Sequence, residues 1–317
     1  MTDITHRNVK TNGINMHIAE AGTGPLVVLL HGFPESWYSW RHQLPALAAA
    51  GFHAVAPDQR GYGRTDAPAA IEAYDIEQLT GDIVGLLDAL NERTAVVVGH
   101  DWGCMVAWHC ALLHPKRFTA VAGLSVPYIP RAPVSPTQLF KTMFANTFFY
   151  ILYFQEPGVA EEELESNVQR SLRLFMYAAS GEAPDNMTGF AGKAKDARLF
   201  DGVPEPDGLP PWLKQEDLDY FVSEFQRTGF RGGLNWYRNF DRNWEITPQL
   251  AGAKVEQPAI FVAGERDGVI RMSSPEAMRA NMKDLRKLVL IPGCGHWTQQ
   301  ERPAEVNAEL IAFLKGL

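Results

Sequence analysis

Cysteine is scarce in this chain. Cys104, Cys110 and Cys294 are the only three in 317 residues. They form an odd set with no Cys-x-x-Cys or His-rich spacing, which excludes a disulfide framework and offers no metal site. Basic runs are missing as well: Lys and Arg total 29 against 37 Asp and Glu, a formal charge of −8. A nucleic-acid partner is thereby excluded, because it requires clustered positive charge. No apolar stretch approaches the ~18 residues of a membrane span, and the opening Met1-Thr2-Asp3-Ile4-Thr5-His6-Arg7 lacks the apolar core of a secretory signal. With 46% hydrophobic and 21% charged residues and a mean hydropathy of −0.17, the composition is that of a globular protein, not a disordered or collagen-like one. These absences predict a cytoplasmic protein without metal or other cofactor, built as one large or two coupled domains.

What is present changes texture twice along the chain. Up to about Pro130, short apolar runs alternate with helical stretches: Leu26–Leu30, His53–Ala56, Thr94–Val98 and Ala120–Leu124. Continuous apolar strands separated by helices predict a mostly parallel sheet with helices on both faces. The rhythm returns with Ala259–Ala263 and Lys287–Ile291, followed by a helical pattern through Val306, Leu310, Ile311 and Leu314. From Arg131 to Trp244 no β-branched strand is evident, and helical patterns rich in Phe, Met, Leu and Glu are broken by Pro and Gly. Glu161–Glu165, leading to Val168, Leu172 and Phe175, reads as one amphipathic helix with an acidic first turn. The expected organisation is a core over 1–130, an inserted helical cap over 131–244 and a second core part over 245–317. Open α/β sheets bind ligands at the C-terminal ends of their strands, where such a cap would sit.

The segment Ala95–Trp108 is an apolar strand, the turn Gly99-His100-Asp101-Trp102-Gly103 and a helical run. This has the form of a nucleophile elbow, in which a sharp strand-to-helix turn projects its central residue beside a helix N-terminus. Taken alone, Asp101 would read as a helix cap. Two later loops change that balance, because they follow in the order nucleophile, acid, histidine. Gly264-Glu265-Arg266-Asp267-Gly268 puts Asp267 after an apolar strand, and Pro292-Gly293-Cys294-Gly295-His296-Trp297 puts His296 after the last one. In isolation these two read as a turn residue and as a loop histidine packed on Trp297. Near the start, the Leu29-Leu30 strand runs into His31-Gly32-Phe33-Pro34, where an oxyanion-hole N–H is expected. His31 itself reads as a satisfied core histidine.

A carboxylate nucleophile dictates its own chemistry. It needs no deprotonation and displaces a leaving group from an sp3 carbon, leaving an alkyl ester on the protein. A water deprotonated by His296, with Asp267 orienting the imidazole, then cuts that ester. The N–H groups of Trp102 and Phe33 are the expected oxyanion hole for this second half. An epoxide opens to an alkoxide and needs an acid that is neutral at pH 7, a condition tyrosine meets; a halide needs only N–H donors. The cap contains Tyr150, Tyr153 and Tyr237.

These motifs together resemble the epoxide hydrolases of the α/β-hydrolase superfamily, and most of all the hydrolase domain of the mammalian-type soluble enzymes. The matching segments are His31–Pro34, Asp58-Gln59-Arg60-Gly61-Tyr62-Gly63, Gly99–Gly103, Tyr153-Phe154-Gln155-Glu156-Pro157-Gly158, Asn235-Trp236-Tyr237-Arg238-Asn239 and Gly295-His296-Trp297. The resemblance implies the α/β-hydrolase fold, conversion of epoxides to vicinal diols without a cofactor, and Tyr150 and Tyr237 as the ring-opening pair. Tyr153, three residues beyond Tyr150, is the alternative to it. Trp102, Phe33, Tyr153, Phe149 and Trp297 are the expected pocket residues, favouring apolar alkyl or aryl epoxides. The partners implied are the epoxide and water, with a homodimer left open. Haloalkane dehalogenases share the fold and nucleophile but generally carry Asn where Phe33 stands. Fluoroacetate-type dehalogenases would have Arg where Trp102 stands. A non-catalytic small-molecule receptor of the same fold is disfavoured by the complete ordered set.

Overall fold

The computed structural model describes residues 3–184 and 190–317. Residues 185–189, inside the predicted cap segment, lie outside the described residues, as do Met1 and Thr2. The apolar runs become strands β3 (Leu26–Leu30), β4 (His53–Pro57), β5 (Ala95–His100), β6 (Phe118–Leu124), β9 (Val255–Gly264) and β10 (Met282–Ile291). A hairpin precedes them, β1 (Thr5–Thr11) and β2 (Ile14–Ala21). The eight strands form one sheet in the order β1-β2-β4-β3-β5-β6-β9-β10. The first two pairings, β1 with β2 and β2 with β4, are antiparallel, and every other pairing is parallel.

Alternate residues of the central strands feed two different cores, as a pleat of period two requires. Leu26, Val28 and Leu30 of β3 join one apolar cluster together with α2 (Ile76–Ala89) and α3 (Trp102–Leu113). Val27 and Leu29 join the other, shared with α1 (Gln43–Ala49) and α13 (Pro303–Lys315). The chain leaves β3 for β4 on one side and later returns to place β5 on the other. The C-terminal ends of β3 and β5 therefore border a topological switch point, the place where such sheets bind ligands. Their register pairs Leu30 with Gly99, so the loops holding Phe33 and Asp101 start side by side.

Between β6 and β9 the chain leaves the sheet for α4 (Pro136–Met143), α5 (Tyr150–Tyr153), α6 (Val159–Ser166), α7 (Val168–Ala178), α8 (Gln215–Thr228), α9 (Arg231–Arg238) and α10 (Phe240–Ile246). Two sequence expectations are corrected here. The segment does contain strands, a short antiparallel pair β7 (Thr147–Phe149) and β8 (Ala191–Ala194). The helix expected from Glu161 to Phe175 is two helices, because Asn167 breaks out at φ −154° and caps α7 by accepting the Arg170 N–H at 3.0 Å. Three further helices, α11 (Gly268–Met272), α12 (Thr298–Glu301) and α13, follow strands β9 and β10. No helix among the described residues is long and apolar enough to cross a membrane.

Candidate active site

Asp101 stands between β5 and α3 with φ 52° and ψ −120°, a left-handed conformation that a non-glycine residue rarely adopts. Such strain costs on the order of 1–3 kcal/mol and persists only where the surroundings enforce it. Here they do. A Cβ on Gly99 would lie 2.1 Å from the Gly103 carbonyl oxygen, and one on Gly103 would lie 2.0 Å from that of Leu30. Only glycines let the elbow close this tightly against β3.

The Phe33 N–H donates to Asp101 Oδ1 at 2.9 Å. The Trp102 N–H is the first of α3 and has no intrahelical carbonyl to bond. The carboxylate thus accepts one backbone donor beside a helix N-terminus, where negative charge is favoured. On the other side, His296 Nε2 lies 3.4 Å from Asp101 Oδ2. Its Nδ1 lies 3.0 Å from Asp267 Oδ2. Burial opposes a charge on the His296 ring, but the Asp267 and Asp101 carboxylates outweigh it and raise its pKa well above the ordinary 6.5.

A cavity of about 330 Å³ is lined by Asp101, Asp267 and His296 together with Tyr150 and Tyr237. Its remaining wall includes the aromatics Phe33, Phe154, Phe175, Phe190 and Trp297 and small apolar residues such as Ala178 and Ala183, with Arg266 and Arg271 also lining it. Tyr150 and Tyr237 face each other at a centroid distance of 6.0 Å. Burial, then the Asp101 and Asp267 carboxylates, raise the Tyr150 phenol above its ordinary range. Burial and Asp101 do the same to Tyr237. Both are neutral acids at pH 7. Gln155 ties their helices together by donating to the Ile151 carbonyl at 2.9 Å and the Tyr237 carbonyl at 3.0 Å.

Three residues expected in the pocket are not among those lining it. Tyr153 donates its hydroxyl to Glu163 Oε2 at 2.7 Å, so it is turned away and engaged. Phe149 stacks on Phe144 at 4.0 Å. The Trp102 indole packs against Trp236, Tyr237 and Phe240. His31 is fully buried, with Nδ1 at 2.9 Å from the Gly32 carbonyl and Nε2 accepting the Gln59 N–H at 3.1 Å.

Sequence reasoning missed a buried support beneath these groups. Glu35 Oε2 accepts the Gly32 N–H and faces His100 Nδ1, both at 2.7 Å, while Oε1 accepts from Gln299 and Gln300 at 3.1 Å. His100 Nε2 lies 2.8 Å from the His296 carbonyl oxygen. Both ring nitrogens face acceptors, so a ring carrying both protons satisfies both. Ser125 Oγ donates to the same carbonyl at 2.8 Å. One charged pair therefore connects the Phe33 loop, the elbow and the His296 loop. An acid directly after His31–Pro34 was the one available signal.

Burial alone would raise the Glu35 carboxyl, but the His100 charge and its hydrogen bonds hold it at about 2 against an ordinary 4.5. A fully buried carboxyl held that low contributes on the order of 3 kcal/mol to stability. Because the folded value lies below the unfolded one, this contribution is complete above about pH 4.5 and lost as pH falls toward 2. Glu35→Gln is thus expected to flatten stability against pH in that window, measured by urea unfolding at several pH values. An unchanged slope would remove the pair from the stability account.

The sequence matches the family described as alpha/beta hydrolase fold over residues 25–303. It is 52% identical over 315 residues to epoxide hydrolase A of Mycobacterium tuberculosis (strain ATCC 25618 / H37Rv), covering 99% of this chain and 98% of the relative. It is 44% identical to bifunctional epoxide hydrolase 2 of Sus scrofa, covering 96% of this chain and 54% of that longer protein. The crystal structure of epoxide hydrolase A from Mycobacterium thermoresistibile superposes with a TM-score of 0.95 at 52% identity, over 99% of both chains.

Proposed function

Because this chain belongs to the α/β-hydrolase fold family, and within it to the epoxide hydrolases, we propose that it turns apolar alkyl or aryl epoxides into vicinal diols through an ester on Asp101. The observation that carries this reading is the single cavity shared by an elbow carboxylate, a histidine paired with a second carboxylate, and two neutral phenols. The aromatic and small apolar residues of the lining favour apolar substrates.

In the first step an Asp101 oxygen bonds to an epoxide carbon, the ring C–O bond breaks, and its electron pair stays on the ring oxygen. Tyr150 and Tyr237 supply the proton this alkoxide requires; a phenol, even one raised by burial, is a far stronger acid than an alkanol. In the second step His296 takes a proton from water, and the hydroxide adds to the ester carbon. The oxyanion so formed is held by the N–H groups of Phe33 and Trp102. Collapse breaks the acyl C–O bond, the departing oxygen takes the proton of the added hydroxyl, and the diol leaves with Asp101 again a carboxylate and His296 again an imidazolium. Asp101 keeps the oxygen of the water.

Charge makes the two steps follow one another. With Asp101 and Asp267 both ionised, the raised pKa of His296 favours the imidazolium. Esterification removes the Asp101 charge and with it part of that pull, so the ring passes its proton to the phenolate left by ring opening, which restores the phenol and leaves His296 neutral when a base is needed.

The segment 131–244 is read as the cap domain that supplies the two tyrosines, between core parts 1–130 and 245–317. A cytoplasmic location is proposed on three free, buried cysteines, and a homodimer on the resemblance alone. Changing Tyr150 and Tyr237 together to Phe is expected to slow adduct formation with styrene oxide by about 10²- to 10⁴-fold, the usual worth of general acid catalysis. Rapid-quench mass spectrometry measures that rate. Unchanged ring opening would return both tyrosines to a packing role.

A further inference from the structure

Among the described residues, the polypeptide on either side of His296 touches the cap directly. The His296 N–H donates to the Ala179 carbonyl at 2.8 Å, just beyond the end of α7. A Cβ on Gly295 would lie 2.3 Å from the Gly181 nitrogen, so two backbones meet there without intervening side chains. The two amides flanking His296 turn to one carboxylate. Glu301, at the end of α12, accepts the Gly295 N–H through Oε2 at 2.9 Å and the Trp297 N–H through Oε1 at 3.1 Å. The same Oε2 accepts the cap's Gly181 N–H at 2.9 Å. Glu301 is only 5% exposed.

From this geometry we infer that Glu301 is a positioning residue for His296, holding the base in register and making that register depend on the seating of the Ala179–Gly181 strap of the cap. The inference rests on the proposed role of His296. Its physical content is acceptor capacity. A carboxylate offers acceptors on both oxygens and can take three N–H donors at once. An amide in its place accepts on one side and turns an NH₂ toward an N–H on the other, leaving a buried donor unpaired. A buried donor left so is relieved by backbone movement, and the backbone in question carries the imidazole.

Glu301 touches neither the elbow nor the tyrosines, so the two chemical steps respond differently to its loss. With styrene oxide as substrate, Glu301→Gln is expected to change adduct formation by less than about threefold and to slow adduct decay by about 10- to 100-fold, the scale of a displaced catalytic group. A role limited to overall stability would not separate the steps in this way. Rapid-quench intact-protein mass spectrometry on the full chain reads both rates, with His296→Gln run alongside. If decay is unchanged in Glu301→Gln, or both steps slow alike, while His296→Gln still accumulates adduct, the inference is overturned and the two-step reading stands. If His296→Gln accumulates no adduct, the two-step reading fails and takes this inference with it. If Glu301→Gln does not fold, Glu301→Asp decides by the same two criteria, since it keeps the charge but is one methylene too short to span both sets of amides.

Discussion

Asp101→Ala is expected to lower turnover of styrene oxide by about 10⁴-fold or more, the scale seen when a nucleophile is removed from a preorganised site. No adduct mass should appear on the protein at any time. The cavity, the tyrosines and the oxyanion donors all remain in this variant, so any residual rate measures what acid catalysis and positioning supply to direct attack by water. Alanine relieves none of the elbow's strain, because the backbone at 101 sits at φ 52° whatever the side chain. The loss is therefore chemical, and circular dichroism should show a native fold. Turnover near the normal rate would show that the nucleophile lies elsewhere.

The second large effect belongs to His296→Gln. Glutamine cannot take a proton from water, yet Asp101, Tyr150 and Tyr237 are intact. The expected outcome is a protein heavier by one substrate molecule, formed at close to the normal rate and decaying about 10³-fold more slowly, a loss in the range of general-base catalysis. Intact-protein mass spectrometry at successive times reads both rates. A variant that turned over without delay, or never gained mass, would contradict assignment of the base.

Much of this architecture was readable because the central strands are buried on both faces and their sequences are apolar without interruption. The opening hairpin was not, because β1 is an edge strand whose residues Thr5–Asn8 face solvent and carry no apolar run. The break at Asn167 was hidden by regular spacing: Leu164, Leu172 and Phe175 are all buried, across two helices as they would be across one. The elbow was legible as a local pattern, since glycines at 99 and 103 are a steric necessity of the turn. Tyr153 shows the limit of spacing. It shares a single-turn helix with Tyr150, but a glutamate ten residues on captures its hydroxyl. Trp102 was read as pocket lining, yet its ring is drawn into the aromatic cluster of α9 and α10.

The supporting groups were beyond sequence reasoning for a different reason. Glu35 meets His100 across 65 positions, and His100 meets the His296 carbonyl across 196. Such contacts leave no periodicity and no local signature. They exist because the switch point of the sheet brings three loops together, and a buried charge there must find partners from all of them.

The most direct test of the account follows one oxygen atom. In a single turnover with enzyme in excess over styrene oxide, carried out in water enriched in heavy oxygen, the diol should emerge unlabelled and the peptide containing Asp101 should gain the label. Heavy oxygen found in the diol, with none in that peptide, would mean that water attacks the epoxide directly and that no ester on Asp101 is formed.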